Sequence, residues 1–220
     1  MKRCIWYAAS CFAALPVVAA DFIAQVIGVD GQPVENMVVY ITPKSGIAEL
    51  PANEQALVID QKDKKFAPYL TVMQRGQRIQ FTNHDDITHH IYSVSGKNRF
   101  EFKLKAGTNK VTAPMHEAEE VAMGCNIHDW MSGYALVVDT PYFGKTDEAG
   151  QVTFDIVSSG MHEVTVWHPQ LSTNNNRQTT EVSIDNQSTR ALYQIALTAT
   201  LKPIPKQENQ DEFEFLEEYE

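Results

Sequence analysis

The residues with the clearest chemical potential lie in one short segment, GCNIHDWM at positions 124–131. Cys125, His128 and Met131 follow one another there with two residues in each gap, so a tight loop between two strands can bring a thiolate, an imidazole and a thioether to one ion. Soft sulfur together with imidazole selects copper or zinc over harder cations. Since a thioether is a poor zinc ligand, whereas two His, one Cys and a weak axial Met suit copper, the segment favours copper and lacks one histidine.

Two adjacent histidines upstream can supply the missing imidazole. In RIQFTNHDDITHHIYSVS, a strand is predicted to end at Asn83, a loop follows, and His89 and His90 begin the next strand. Neighbouring residues of a regular strand point to opposite faces, so only one of the pair should reach the metal. This pattern alone leaves the choice between His89 and His90 open.

The first twenty residues, MKRCIWYAASCFAALPVVAA, have the features of a signal peptide: two basic residues, an apolar run and small residues before the cleavage site. We expect cleavage after Ala20, export to the periplasm and no membrane insertion. Cleavage removes Cys4 and Cys11 and leaves Cys125 alone in an oxidising compartment, where disulfides are the norm. Two explanations account for an unpaired thiol in such a compartment: it binds a metal, or it is buried as a small apolar side chain.

Most periodic segments of the chain are short, rich in Val, Ile, Tyr and Phe, and bounded by turn residues. No segment of helical length carries a 3.6-residue apolar stripe. The sequence therefore predicts an all-β chain of about a dozen strands, most simply two packed sandwiches or barrels.

Taken together, VMQRGQRIQFTNHDDITHH and GCNIHDWM resemble the cupredoxins, the family of plastocyanin and amicyanin, and more closely the two-domain exported proteins labelled methylamine-utilisation proteins. The family lead-in is of the type V-x3-G-x2-V-x-F-x-N, with a histidine about six residues after the Asn, which favours His89. The resemblance implies a Greek-key barrel and one type 1 copper held by His89, Cys125, His128 and Met131. It also implies one-electron transfer between protein redox partners.

The resemblance assigns further roles around this site. It places the edge of His128 at the surface in an apolar patch framed by Ile127 and Trp130, a docking face for transient redox partners, although Trp130 could equally pack against the barrel end. Asn83 is the candidate to tie the first ligand strand to the Cys125 loop, and a plain turn-forming Asn is the alternative. The oligomeric state is left open.

A second module is indicated by VDGQPVENMVVYIT and TDEAGQVTFDIVSSGMHEVTVW, which resemble the opening and later strands of a transthyretin-like (carboxypeptidase-regulatory-like) β-sandwich. We therefore predict that residues 21–50 and 140–200 form one small sandwich and that residues 51–139 form a cupredoxin domain inserted into it. The alternative is linear order, with residues 21–139 as one domain.

The net charge of the chain limits the classes of partner that it is expected to bind. The chain carries a formal net charge of −10, and loss of the two basic signal residues makes the mature protein about −12, which argues against nucleic acid and anionic lipid. Residues 201–220, LKPIPKQENQDEFEFLEEYE, are acidic with interspersed aromatics, and we expect a disordered tail or a segment that docks a partner.

An enzymatic role is not expected. Oxidases and nitrite reductases of copper need further histidines for a second copper, commonly beside the Cys, but Gly124 and Asn126 flank Cys125. A binuclear purple copper centre needs two cysteines, whereas only Cys125 would remain after cleavage of the signal peptide. The sequence favours a periplasmic electron carrier; the alternatives are a copper carrier or chaperone, and an interaction module in which copper only stabilises the fold.

Overall fold

The computed structural model describes residues 20–47, 49–50, 53–94, 96–156, 159–184 and 190–208. Within them the chain forms strands joined by turns, and a 3₁₀ turn at Asn174–Asn176 is the one helical element. The strands are β1 Ala20–Ile27, β2 Val38–Pro43, β3 Leu57–Lys62, β4 Lys65–Ala67, β5 Leu70–Gln74, β6 Ile79–Asn83, β7 His89–Ser93, β8 Phe100–Leu104, β9 Asn109–Val111, β10 Glu120–Cys125, β11 His128–Val138, β12 Phe143–Lys145, β13 Gln151–Ile156, β14 Gly160–Trp167, β15 Arg177–Ile184 and β16 Arg190–Ala196.

These strands form four sheets. Two sheets, ordered β13-β1-β16 and β12-β2-β14-β15, combine the first two strands with the last five. The other two, ordered β5-β11-β10-β7-β8 and β4-β3-β6-β9, contain all the strands between residues 57 and 138. The predicted all-β class is confirmed. The division into an outer sandwich and an inserted domain stays a prediction, and the strand membership of the sheets is compatible with it.

Three apolar clusters lie between successive sheets. One fills the space inside the first pair of sheets and contains Phe22, Ile41 and Phe154. A second fills the space inside the other pair and contains Phe81, Cys125 and Met131. The third joins the two halves of the molecule, with Val38, Leu70, Val72, Leu136, Val138 and Trp167 as its buried members.

Strand β11 explains why the two halves pack against each other. Along β11, Ala135 and Val137 belong to the cluster that holds the site, while Leu136 and Val138 belong to the third cluster. Successive side chains of a strand point to opposite faces, so this strand is covered by apolar side chains on both faces. That is why the second half of the strand, YALVV, is a continuous apolar run rather than an alternating one.

Several predictions of the sequence fall outside the described residues. The signal peptide at 1–20 has only Ala20 within them, and the acidic tail is described only as far as Glu208. Among the described residues, no helix has the length and apolar character that crossing a membrane would require.

Candidate metal centre

The Cys125 loop is the turn of a β-hairpin. Cys125 ends β10, His128 begins β11, and the two residues pair directly across the turn, with a register shift between Gly124 and Cys125. Gly124 lies opposite Tyr92 of β7, and a Cβ at Gly124 would stand only 2.7 Å from the Tyr92 hydroxyl. Glycine at this position therefore lets the Tyr92 ring pack closely against the ligand hairpin.

His89 joins this hairpin from the neighbouring strand. It is the first residue of β7, which pairs with the end of β10 through Ile91 opposite Cys125. The His89 Nδ1 atom lies 3.6 Å from Cys125 Sγ, and His128 Nδ1 lies 3.8 Å from the same sulfur. All three donor atoms fall within 4.8 Å of one another. His89 is 0% exposed and Cys125 is 3% exposed, so the donors converge in a site that largely excludes water.

The three donors fit a soft metal ion. Bonds of about 2.0 Å to imidazole nitrogen and about 2.3 Å to thiolate sulfur, at angles between tetrahedral and trigonal, would separate nitrogen from sulfur by about 3.5 to 3.7 Å. The observed separations of 3.6 and 3.8 Å match that spacing without rearrangement of the backbone. A thiolate with two imidazoles is the equatorial donor set of trigonal copper sites.

The fourth predicted ligand, Met131, lies in the apolar cluster of this site, and its role as a ligand stays a prediction. It is a buried residue of β11, three residues beyond His128, and it packs in the same apolar cluster as Cys125. Its thioether is uncharged and weakly donating, which suits a long axial contact rather than a fourth strong bond.

The electrostatics of the site favour a thiolate. Burial alone would raise the pKa of Cys125, but its hydrogen bonds with His89 and with the Ile127 backbone outweigh burial and lower that pKa. Burial would lower the pKa of His89, yet its hydrogen bonds with Cys125 and Asp85 raise it. For His128, burial and the nearby charge of His89 both lower the pKa. In the metal-free site these shifts favour loss of the proton from Cys125 and its uptake by His89, and they disfavour protonation of His128.

Asp85 is a member of this site that sequence reasoning missed. Its Oδ2 lies 2.8 Å from Nε2 of His89, on the side of the ring away from Cys125. Burial would raise the pKa of Asp85, but hydrogen bonds from His89 and from the backbone of Lys64 outweigh burial and lower it. The available signal was an acidic residue four positions before the candidate ligand in HDDITHH, since metal-binding histidines commonly donate their second ring N–H to a carboxylate.

His90 points away from the donors. Its Nε2 pairs with Glu101 at 2.8 Å, and its Nδ1 lies 3.1 Å from the side-chain nitrogen of Asn126. The Asn126 backbone N–H also donates to the His90 carbonyl at 3.0 Å. Of the two adjacent histidines, the structure brings His89 to Cys125, while His90 holds the ligand hairpin from outside.

The Asn83 side chain bonds within its own turn and to β8 rather than to the Cys125 loop, which favours the turn-forming alternative considered for it. Its buried side chain donates to the carbonyls of Ile87 and Leu104 at 2.8 and 3.0 Å, and its Oδ1 accepts from the Asp85 N–H at 3.0 Å. Both amide hydrogens are thus used within the 83–89 turn and its neighbour β8, and none is left for the Cys125 loop. His90 and Asn126 make the connection between the ligand strand and that loop instead.

One edge of the centre faces the surface. His128 is nearly buried, Ile127 is 53% exposed, and the half-buried Trp130 ring lies against the His128 ring with centroids 5.1 Å apart. Trp130 also packs against the cluster that contains Cys125, as the packing role considered for it requires, and its docking role stays a prediction. Nearby, the Gln207 side chain exchanges hydrogen bonds of 3.0 and 2.9 Å with Ser132 of β11, which brings the C-terminal segment beside this hairpin.

No family model and no curated protein matches the chain. Among solved structures, a purple cupredoxin from Nitrosopumilus maritimus is 19% identical, covers 37% of this chain and 99% of its own, and has a TM-score of 0.33. The copper-containing nitrite reductase NirK from Thermus scotoductus SA-01 is 18% identical over 52% of this chain and 28% of its own, with a TM-score of 0.37. An oxidised amicyanin variant is 17% identical over 45% of this chain and 92% of its own, with a TM-score of 0.35. With every TM-score below 0.5, the likeness is partial, and the metal centre rests on its own geometry.

Proposed function

We propose that this protein is a periplasmic type 1 copper protein of the cupredoxin kind, which carries single electrons between protein partners and has no enzymatic activity of its own. The observation that carries the proposal is the convergence of His89, Cys125 and His128, with their donor atoms within 4.8 Å in a buried site. The buried Met131 in the same apolar cluster supports a weak axial contact.

The chain's own residues would serve this function by holding a fixed site. Bound copper would supply a one-electron couple between Cu(II) and Cu(I). Cys125 and His128 are fixed by direct pairing of β10 with β11, and His89 by pairing of β7 with β8 and β10. Donors held in this way move little when the charge at the site changes, which keeps the reorganisation cost of electron transfer small.

The surface beside His128 supports transient docking. Ile127 and Trp130 form a small apolar edge next to His128, a residue that is itself 9% exposed. Weak redox encounters use small interfaces of this kind. We propose that electrons enter and leave through the His128 edge.

The alternative role, copper delivery by a carrier or chaperone, fits these observations less well. A protein that transfers its ion to a recipient needs donors that the recipient can reach. His89 is 0% exposed and Cys125 is 3% exposed, so two of the three donors are closed to an incoming ligand.

We extend the proposal to the organisation of the chain. Residues 1–20 would direct export, residues 51–139 would form the copper domain, and residues 21–50 and 140–200 would form the transthyretin-like sandwich around it. The third apolar cluster would then be the domain interface.

The visible spectrum of the Cu(II)-loaded protein tests the proposal. We expect an intense blue thiolate-to-copper band that is lost in Cys125→Ser, because the serine hydroxyl cannot supply the thiolate donor. His84→Ala removes an exposed imidazole outside the donor cluster and is the matched control, which should keep the band. A colourless protein would refute electron transfer at a type 1 site. Tight binding of Cu(I) alone, with transfer to a recipient, would favour the carrier role.

A further inference from the structure

We propose that Asp85 is a positioning residue for the metal centre: it aims His89 at the metal and, through its negative charge, lowers the reduction potential of the bound ion. The inference rests on the proposed function. It concerns a residue outside the donor cluster that contacts His89 on the side of the ring opposite the thiolate.

The contact between Asp85 and His89 determines which ring nitrogen is free. A carboxylate can only accept, so the 2.8 Å contact requires a hydrogen on Nε2 of His89. The other nitrogen, Nδ1, then presents its lone pair towards Cys125, 3.6 Å away, when the ring is neutral. Because His89 is 0% exposed, no water competes with Asp85 for that hydrogen bond.

Asp85 is itself held in place. Its backbone N–H donates to Asn83 Oδ1 at 3.0 Å, and its Oδ2 accepts from the backbone N–H of Lys64 at 3.1 Å. Asn83 is anchored in turn to the carbonyls of Ile87 and Leu104. The turn between β6 and β7 is therefore a hydrogen-bonded frame that fixes the carboxylate behind the ligand.

The charge of Asp85 acts on the metal through His89. The Asp85 side chain is only 11% exposed, so solvent screens its field weakly. A negative charge stabilises Cu(II) more than Cu(I), because the oxidised ion carries one more positive charge, and hydrogen bonding to a carboxylate makes the imidazole a stronger donor. Both effects disfavour reduction of Cu(II) to Cu(I) and therefore lower the reduction potential of the bound ion.

The main experiment is voltammetry of Asp85→Asn at one fixed pH. The electrode supplies the single electron that converts Cu(II) to Cu(I). Asparagine keeps an oxygen that can accept from His89 Nε2 but removes the charge, so we expect a blue protein with a raised potential. A tenfold change in the ratio of Cu(II) to Cu(I) affinity corresponds to about 59 mV for one electron, and we expect a rise of at least this size.

Two further variants separate charge from position. Asp86→Asn makes the same charge change at the adjacent exposed residue, and its potential should move much less. Asp85→Ala removes both charge and hydrogen bond, so it should also weaken metal binding and alter the spectrum. In the diamagnetic Zn(II) form, proton NMR should show a slowly exchanging Nε2–H of His89 in the wild type that exchanges rapidly in Asp85→Ala.

The outcomes distinguish this inference from the proposed function. A blue Asp85→Asn protein with the potential of the wild type, or one shifted no more than Asp86→Asn, would overturn the role of Asp85 and leave the copper site standing. A wild-type Zn(II) form with no protected His89 Nε2–H would do the same. A wild-type protein without a blue band would overturn the proposed function, and this inference with it.

Discussion

His168, at the junction between the two halves of the molecule, should make stability depend on pH. It is 6% exposed and lines a cleft with Lys145 of its own half and with Tyr69 and Leu70 from across the junction. Burial lowers the pKa of His168 from 6.5 to about 4. Its Nδ1 already accepts a hydrogen bond from the Gln170 N–H at 3.1 Å, which suits the neutral ring. None of the described residues lining this cleft is a carboxylate that could stabilise the charged form.

The magnitude follows from the two pKa values. Above pH 6.5 the ring is neutral in both states, and its burial carries no protonation cost. As pH falls below 6.5, His168 becomes protonated in the unfolded chain, whereas in the folded protein it becomes protonated only near pH 4. The free energy of unfolding therefore decreases as pH falls. With 1.36 kcal/mol per pKa unit, the loss is about 2 kcal/mol by pH 5 and approaches about 3 kcal/mol below pH 4.

Urea unfolding of the metal-free protein between pH 8 and pH 5 measures this loss. Other groups titrate in the same window, so the informative quantity is the difference between the wild type and His168→Asn, which keeps an acceptor near the Gln170 N–H but does not titrate. The variant should lose about 2 kcal/mol less than the wild type over this range. His116→Asn, at an exposed histidine outside this cleft, is the control and should follow the wild type. Equal pH dependence in the wild type and His168→Asn would refute the reasoning.

Three further predictions concern the metal centre. Gly124→Ala should lower the free energy of unfolding by about 1–3 kcal/mol in urea titrations, because its Cβ would stand 2.7 Å from the Tyr92 hydroxyl; an unchanged value would contradict this packing. His89→Ala should abolish the blue band of the Cu(II)-loaded protein, whereas His90→Ala, on the outer side of β7, should keep it; the reverse result would exchange their roles. Ile127→Lys should leave the spectrum unchanged but slow electron self-exchange, measured by NMR line broadening, roughly tenfold, since two like charges would meet at the docking edge; unchanged self-exchange would exclude this edge.

The sequence by itself determined the local features. Short runs of β-branched and aromatic residues between turn residues predicted the all-β class, because strand formation depends on nearby side chains. The spacing of Cys125, His128 and Met131 likewise predicted a hairpin turn that brings ligands together, since residues a few positions apart stay close whatever the rest of the chain does.

Only the tertiary structure decided which residues meet across strands. The resemblance favoured His89, but strand alternation alone left the choice open: whether His89 or His90 meets Cys125 depends on which face of β7 lies against β10, and a one-residue change of register would have exchanged them. The contact of Asp85 with His89, and of Asn126 with His90, likewise depends on how a turn folds back and how strands pair over 36 residues of chain. The burial of both faces of β11 could not be predicted either, because an apolar run is compatible with a buried strand or with a buried helix segment.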